Sequence, residues 1–407
     1  MLRVKTVQYL ATCDRTRKYT DPSNTMSQNK KATLIALTGG PCAYKSGMLL
    51  FLTEELTQKG VHVITMPEAA TLCIMGGIHP MHDHVGVSTG QRAIMRTCRA
   101  LQNIWTEAAN SLITDRPVVV IMDRGVADSM AYTPEGMYHE LLAELGTNHG
   151  EILHEMDCVI HLVTAAEGAL QFYSLNNPAR YETAEQAIAT DHRTREVWNG
   201  TPHYSLIDNS GTLEDKKART LDVVLNAIGL PAHVEKEAKI LVRLLGKKVP
   251  VYHTSFLLDQ FYCYSSPGTE VRVRKRTMPQ FGFAVCIYGQ KRPTDDGEGR
   301  YEIETYMPLS FWDSALASMK DPLYNTVSKE RTTFLLDGVD GAKHYAELDR
   351  FLSLELPWED GKDLRLLEVE YTGTRPEIVL PPWLELIADV TNKGAFKNRS
   401  LAASDVG

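Results

Sequence analysis

An apolar run over 32–38 meets the turn Gly39-Gly-Pro-Cys-Ala-Tyr-Lys-Ser46, and a helical stretch over 46–59 follows. A strand, a glycine turn and a helix start are the parts from which a phosphate cradle is made. Gly39 and Gly40 let the backbone approach closely, and amides of the turn and of the helix N-terminus point at the anion. Lys45 would reach the outer phosphates of a nucleotide and the Ser46 hydroxyl would ligate Mg²⁺. Tyr44 stands where a phosphate loop of the form GxxxxGK[ST] has glycine, so its side chain is expected to crowd the phosphate or change the loop. Gly47 weakens the first helical turn. The plainer alternative is a strand–turn–helix without a ligand.

Two carboxylates extend this chemistry. Asp123 follows the apolar run over 117–122, at the strand end where α/β sheets place their sites, and is a metal candidate directly or through water. Glu68, after the strand expected over 61–66, is a candidate catalytic base or hydroxyl-orienting group. Arg124, Arg180, Arg193 and Arg195 are candidates to clamp a transferring phosphate, the last three having a solvated helix face as their alternative. His79, His82, His84 and Asp83 fall in a loop whose spacing fits no strong metal template.

Beyond Pro231 charges recur at every second residue. The sets are Glu235, Glu237 and Lys239; Arg272, Arg274 and Arg276; Lys291; Arg300, Glu302 and Glu304; Lys329 and Arg331; Glu347 and Asp349; Glu368 and Glu370. A strand repeats every two residues, so each set shares one face. In a closed barrel that face is the interior, where acids hold a divalent cation and bases hold its phosphates. An open sheet would instead wet the charges and bury Val273, Ile303, Leu348 and Val369. Two segments carry purely acidic pairs and two others purely basic sets, and this segregation favours the enclosed arrangement, since solvated faces mix signs.

These residues need two kinds of scaffold. Apolar runs over 32–38, 61–66, 117–122, 159–163 and 205–207 alternate with helical stretches, the longest expected over 91–112, and predict a doubly wound α/β domain with a parallel sheet. Short alternating strands after 231 predict an antiparallel β-barrel. The boundaries are a flexible arm over 1–30, the phosphate-loop domain over 31–228, a linker over 229–234, the barrel over 235–392 and a frayed tail over 393–407. The 407 residues accommodate two such domains, and a net charge of -8 argues against a nucleic-acid binder. Seven scattered cysteines without a CxxC pair fit a reducing, cytoplasmic setting. The basic first thirty residues leave mitochondrial import as the lesser alternative, and Met26 as an alternative start. No apolar run approaches the roughly 20 residues of a membrane span, which leaves only peripheral membrane contact open.

The second half resembles the CYTH, or triphosphate tunnel, superfamily. The carrying residues are Glu235, Glu237 and Lys239 followed by Ile-Leu-Val, and the later basic and acidic pairs in the family's order. The resemblance implies an eight-stranded tunnel that binds triphosphate-like ligands with Mg²⁺ or Mn²⁺. It implies that Glu235, Glu237, Asp349, Glu368 and Glu370 serve the metal, and that Lys239, Arg272, Arg274, Lys291, Lys329 and Arg331 serve phosphate. Glu368 and Glu370 would carry catalysis there. The first half resembles P-loop kinase-like ATPases related to nicotinamide-riboside kinase, through GGPC at 39–42, PEAATL at 67–72, MDRGVADSMAY at 122–132 and IDNS at 207–210. The two halves in this order are similar to the TRPL translocation defect protein family. That resemblance implies guanine-nucleotide binding, phosphoinositide or phosphatidic-acid binding and a link to membrane-protein trafficking. The leading expectation is a nucleotide-dependent regulatory protein whose tunnel takes a phosphorylated small molecule or lipid headgroup. The alternatives are a metal-dependent triphosphatase or small-molecule kinase, and a scaffold with two decayed sites.

Overall fold

The apolar run before the glycine turn forms β1 (Thr33–Thr38) at the centre of a parallel sheet. Residues 32–134, 136–173, 183–230, 236–293, 300–338, 343–358, 363–371 and 375–403 are described in this computed structural model. β2 (His62–Met66), β3 (Val118–Asp123), β4 (Cys158–Leu162) and β5 (Tyr204–Ile207) complete the sheet in the order β2-β3-β1-β4-β5. Side chains of β1 alternate between two cores. Ile35 and Leu37 pack with α1 (Lys45–Gln58) and α7 (Leu213–Ala227) on one face. Leu34 and Ala36 pack with α3 (Gly86–Asn110), α4 (Met137–Glu144) and α5 (His149–Glu155) on the other. α2 (Ala69–Met75) and α6 (Ala184–Glu196) lie near the strand ends that carry the candidate site. The long helix begins at Gly86, five residues before its predicted start, because Gly86 takes φ +73 and turns the chain out of the preceding loop.

Among the described residues the second half is one antiparallel sheet of nine strands, where the resemblance implied eight. In chain order they are β6 (Lys236–Leu244), β7 (His253–Tyr262), β8 (Glu270–Met278), β9 (Phe283–Pro293), β10 (Arg300–Met307), β11 (Val327–Asp337), β12 (Lys343–Phe351), β13 (Leu364–Tyr371) and β14 (Leu384–Asp389). The ninth is β14, which pairs with β6 at the sheet's edge. α8 (Ser310–Ser318) covers Val273 and Cys286 with Trp312.

Both faces of this sheet are buried. Ala238, Ile240, Phe334, Leu348 and Val369 form an apolar core on one face. The opposite face carries Lys239, Lys329, Arg331, Glu347, Asp349 and Glu368, all of them buried. The charged face is therefore the enclosed one, which periodicity alone could not decide.

The tail expected to fray from Lys393 is folded through Ala403. Phe396 and Ala402 are buried, and α9 (Asn398–Ala402) closes the segment. Apolar contacts with Leu241, Leu364 and Leu366 hold it there. Phe256, Met278 and Tyr345 of the barrel join the core beneath β1, so the halves share apolar packing. Of the expected linker, only Gly229 and Leu230 lie within the described residues. Among the described residues no helix is long and apolar enough to cross a membrane.

Candidate phosphate sites

Tyr44 takes φ 66 and ψ 20, the left-handed conformation that glycine adopts most easily. The loop thus keeps the backbone that the missing glycine would supply. The ring lies along α1 over Gly47, where a Cβ would come within 2.4 Å of it. Gly47, expected only to weaken the helix, is the residue that makes room for Tyr44. Lys45 Nζ donates to the carbonyls of Gly39 and Gly40, each at 3.2 Å. Burial, with Arg124 second, brings the Lys45 ammonium down to about 8. Ser46 is exposed at the start of α1.

β1 and β3 run side by side with Leu37 opposite Asp123, which sets that carboxylate beside the loop. Asp123 Oδ1 is buried and has no hydrogen-bond partner in the protein, and burial raises the carboxyl above its ordinary range. An oxygen left unsatisfied at a strand end is what a hydrated cation would complete. Glu68, at the start of α2, accepts from Arg124 Nε at 2.8 Å and from Thr71 Oγ1 at 2.6 Å. Burial pushes its carboxyl up, but Arg124, Lys45 and those bonds hold it below the ordinary value. Arg124 has φ 68 and points back at Glu68, with Asp128 3.7 Å away and the Tyr132 ring beneath it. Asp128 also receives Thr38 Oγ1 and, at 2.8 Å, the Gly125 amide. It tethers β1 to the turn after β3.

The arginines named from sequence part company. Arg193 is exposed and donates to the Ala131 carbonyl and to Thr190. Arg195 is fully buried, donating to Asp191 at 2.7 Å and to Glu167 at 2.7 Å. It lies under the loop instead of over it, since Asp191 itself accepts from the Gly40 amide at 2.7 Å. Arg180 lies outside the described residues. His79 and His82 meet ring to ring at 5.0 Å, and among the described residues no three His, Cys, Asp or Glu are placed to hold a metal.

In the barrel the charges pair with one another. Arg331 donates twice to Asp349, at 2.7 Å each, to Glu368 at 2.8 Å, and to Glu347. Lys239 bridges Glu368 and, at 3.0 Å, Glu237; Lys329 joins Asp349 and, at 3.2 Å, Asn398. Two acids of this cluster differ. Glu368 faces burial that raises its carboxyl, but Lys239, Arg331 and Lys329 hold it far below the ordinary range. Glu347 is raised, because burial and the neighbouring Glu368 and Asp349 outweigh Arg331. A second cluster stands on β8 and β10. Glu304 accepts from Arg272 at 3.2 Å and from Arg274, and its other oxygen meets His203 Nε2 at 2.8 Å. Lys291 stands in register with Glu270 and Glu302, and Glu370 with Glu237. Glu235 and the side chain of Glu370 lie outside the described residues.

Several partners had little or no signal in the sequence. Glu304, Glu347 and Arg276 belonged to the charge ladder without a role. Asp191 and His203 carried none, because their significance lies in packing between segments far apart in the chain.

Residues 34–216 match the model of an AAA domain family. No curated protein matches the chain. Among solved structures, the inorganic triphosphatase NE1496 aligns at 22% identity and TM-score 0.29, over 43% of this chain and 100% of that one. A conserved hypothetical protein from Pyrococcus furiosus aligns at 15% identity and TM-score 0.24, over 35% of this chain and 82% of that one.

Proposed function

We propose that the chain is a nucleotide-dependent regulatory protein, binding GTP or ATP at the P-loop and a phosphorylated ligand inside the barrel. The observation that carries the nucleotide half is the unpartnered, buried oxygen of Asp123 beside Lys45, at the end of a phosphate loop that keeps its backbone despite Tyr44. Ser46 and Asp123 would hold Mg²⁺, which would shield phosphate charge when bound. Lys45 would leave the Gly39 and Gly40 carbonyls for the outer phosphates. Glu68, tied to Arg124 and Thr71, is held in place for orienting a hydroxyl or water.

In the barrel, Lys239, Arg272, Arg274, Lys291, Lys329 and Arg331 are the phosphate candidates, and Glu235, Glu237, Asp349, Glu368 and Glu370 those for the metal. Entry of a phosphate chain would exchange acid–base pairs for base–phosphate pairs and free acids for a cation. A lipid headgroup as that ligand, and a part in membrane-protein trafficking, follow from the resemblance to the TRPL translocation defect family.

A second reading, a metal-dependent triphosphatase in the barrel, is favoured by the convergence of Glu347, Asp349 and Glu368 on the one guanidinium of Arg331, a carboxylate set that could hold a cation once phosphate takes the arginine. Calorimetric titration with GTP, ATP and tripolyphosphate, each with Mg²⁺ and with phosphate release followed, tests both. Nucleotide binding without turnover that is lost in Lys45→Ala supports the regulatory reading. Hydrolysis of tripolyphosphate that survives Lys45→Ala but not Glu368→Gln replaces it with the enzyme. If none of the three binds, both fall.

A further inference from the structure

The segment 197–203, between α6 and β5, touches the P-loop machinery at one end and the barrel interior at the other. On the first side, Asp191 of α6 accepts from the amides of Gly40 at 2.7 Å and Thr164 at 3.1 Å. Arg195 follows one turn later, and its carbonyl accepts from Tyr204 Oη at 2.8 Å. Trp198 fills the space over Gly125, two residues past Asp123, where a Cβ would lie 2.8 Å from the indole. On the second side, Asn199 Nδ2 donates to the Thr333 carbonyl at 2.7 Å, and the Asn199 carbonyl accepts from Thr254 Oγ1 at 2.9 Å. The Gly200 carbonyl accepts from Arg276, whose guanidinium stacks 3.6 Å over Phe256. Gly200 has φ +99, and a Cβ there would lie 2.7 Å from Thr254, so only glycine fits. Thr201 and Pro202 then line one cavity with Arg274, Arg276, Arg331 and Glu347.

We propose that this cavity is an anion subsite shared by the two domains, that it takes the terminal phosphate of an oligophosphate, and that segment 197–203 links its occupancy to that of the P-loop. The inference rests on the proposed function and adds the junction to it. Arg274, Arg276 and Arg331 line the cavity with one carboxylate, Glu347, a lining whose net positive charge suits a phosphate dianion held by forked hydrogen bonds. A phosphate there competes with the Gly200 carbonyl for Arg276. Releasing Gly200 would loosen Thr201 and Pro202 of the cavity wall, and the same segment runs back to the helix whose Asp191 holds Gly40. A nucleotide that repositions the loop acts on the same helix from the other side. Linkage between two binding sites is reciprocal, so each ligand must change the other's affinity by one factor.

The test is calorimetry on the full chain with Mg²⁺, titrating tripolyphosphate with and without saturating nucleotide, and nucleotide with and without tripolyphosphate. We expect both affinities to change by the same factor, about fivefold or more. Thr254→Val removes the hydroxyl that holds Asn199 and should shrink that factor toward one, while Thr254→Ser keeps it. Simple competition of tripolyphosphate for the P-loop would survive Thr254→Val unchanged, and that result overturns the linkage. If Thr254→Val does not fold, Arg276→Lys reports instead: it should weaken tripolyphosphate about tenfold and leave nucleotide binding alone. Unchanged tripolyphosphate affinity in Arg276→Lys overturns the subsite. Binding of both ligands with independent affinities ends this inference only, whereas binding of neither ends the proposed function as well.

Discussion

The two charged regions solve the same problem in opposite ways. At the P-loop, Asp123 keeps an oxygen unsatisfied and Lys45 rests on two loop carbonyls, so the groups are held ready at the mouth of a sheet. In the barrel most of the named cations pair with acids, Arg331 alone meeting three carboxylates, while Arg276 donates to the Gly200 carbonyl. The difference follows from the scaffold. At the strand end one buried oxygen is left without a partner, an unfavourable state that a bound cation would relieve. On the enclosed sheet face the buried charges neutralise one another instead. A ligand therefore adds contacts at the first site but must exchange them at the second.

The sharpest way to break this comparison is to remove the hub of the barrel cluster. Arg331→Met leaves Glu347, Asp349 and Glu368 buried short of a cation, and should cost about 3–5 kcal/mol in urea unfolding. Adding Glu347→Gln should recover part of that loss, because the two sites share one network. An Arg331→Met protein as stable as the parent would mean that water or counterions already balance the barrel, and the contrast with the P-loop would disappear.

Removing the corresponding cation at the open site should do little to the fold. Lys45→Ala is expected to change stability by under about 1 kcal/mol, since its bonds to Gly39 and Gly40 are long and the burial of the ammonium works against them. Nucleotide affinity should fall roughly ten- to a hundredfold, the worth of a charged phosphate contact. A Lys45→Ala protein that loses stability but not affinity would make the lysine a structural brace.

How far each region was legible follows from the same contrast. The glycine turn, Lys45, Ser46 and Asp123 could be read because a strand, a turn and a helix are local in sequence. The β-ladder gave its face and its sign, but periodicity is blind to which face is enclosed. Burial of Asp349 and Arg331 is decided by long-range strand pairing and by the segment around Phe396. Arg195 reads as a clamp candidate because its helix is polar in sequence. Only the fold shows Asp191 and Glu167 turned inward to meet it. Tyr44 signalled a broken loop from its type alone, since a sequence does not show φ.

Acidity sharpens the comparison further. Lys45 titrates near 8 in the free protein, where burial and Arg124 favour its neutral form. Below that pH it is charged and can meet phosphate. Above it the proton must be recovered on binding, so nucleotide affinity should fall about tenfold per pH unit from 8 upward, until the bound lysine itself titrates. Fold stability moves the other way: the unfolded chain binds the extra proton between about 8 and 10.5, so this lysine's contribution to stability rises across that window. Calorimetric titrations from pH 7 to 9.5 read the first trend. Lys45→Arg should flatten it, and a wild-type slope that persists in that variant would assign the titration to another group.

The smallest effect concerns the pair that lets the loop keep its shape. Tyr44 occupies a left-handed conformation that costs a non-glycine residue roughly 1 kcal/mol, and its ring fills the space that Gly47 leaves. Gly47→Ala in the parent drives a methyl into that ring, which must swing off the helix, at a cost of about 1 kcal/mol despite the better helix former. In a Tyr44→Gly background the same change meets no ring, and alanine should stabilise the helix by about 0.5–1 kcal/mol. The sign of Gly47→Ala thus reverses with the residue at 44, and a double-mutant cycle in urea reads the coupling directly. Equal effects in both backgrounds would mean that the ring does not rest on Gly47. The tyrosine would then be free to stand over the phosphates, and the loop would no longer be the open half of the comparison.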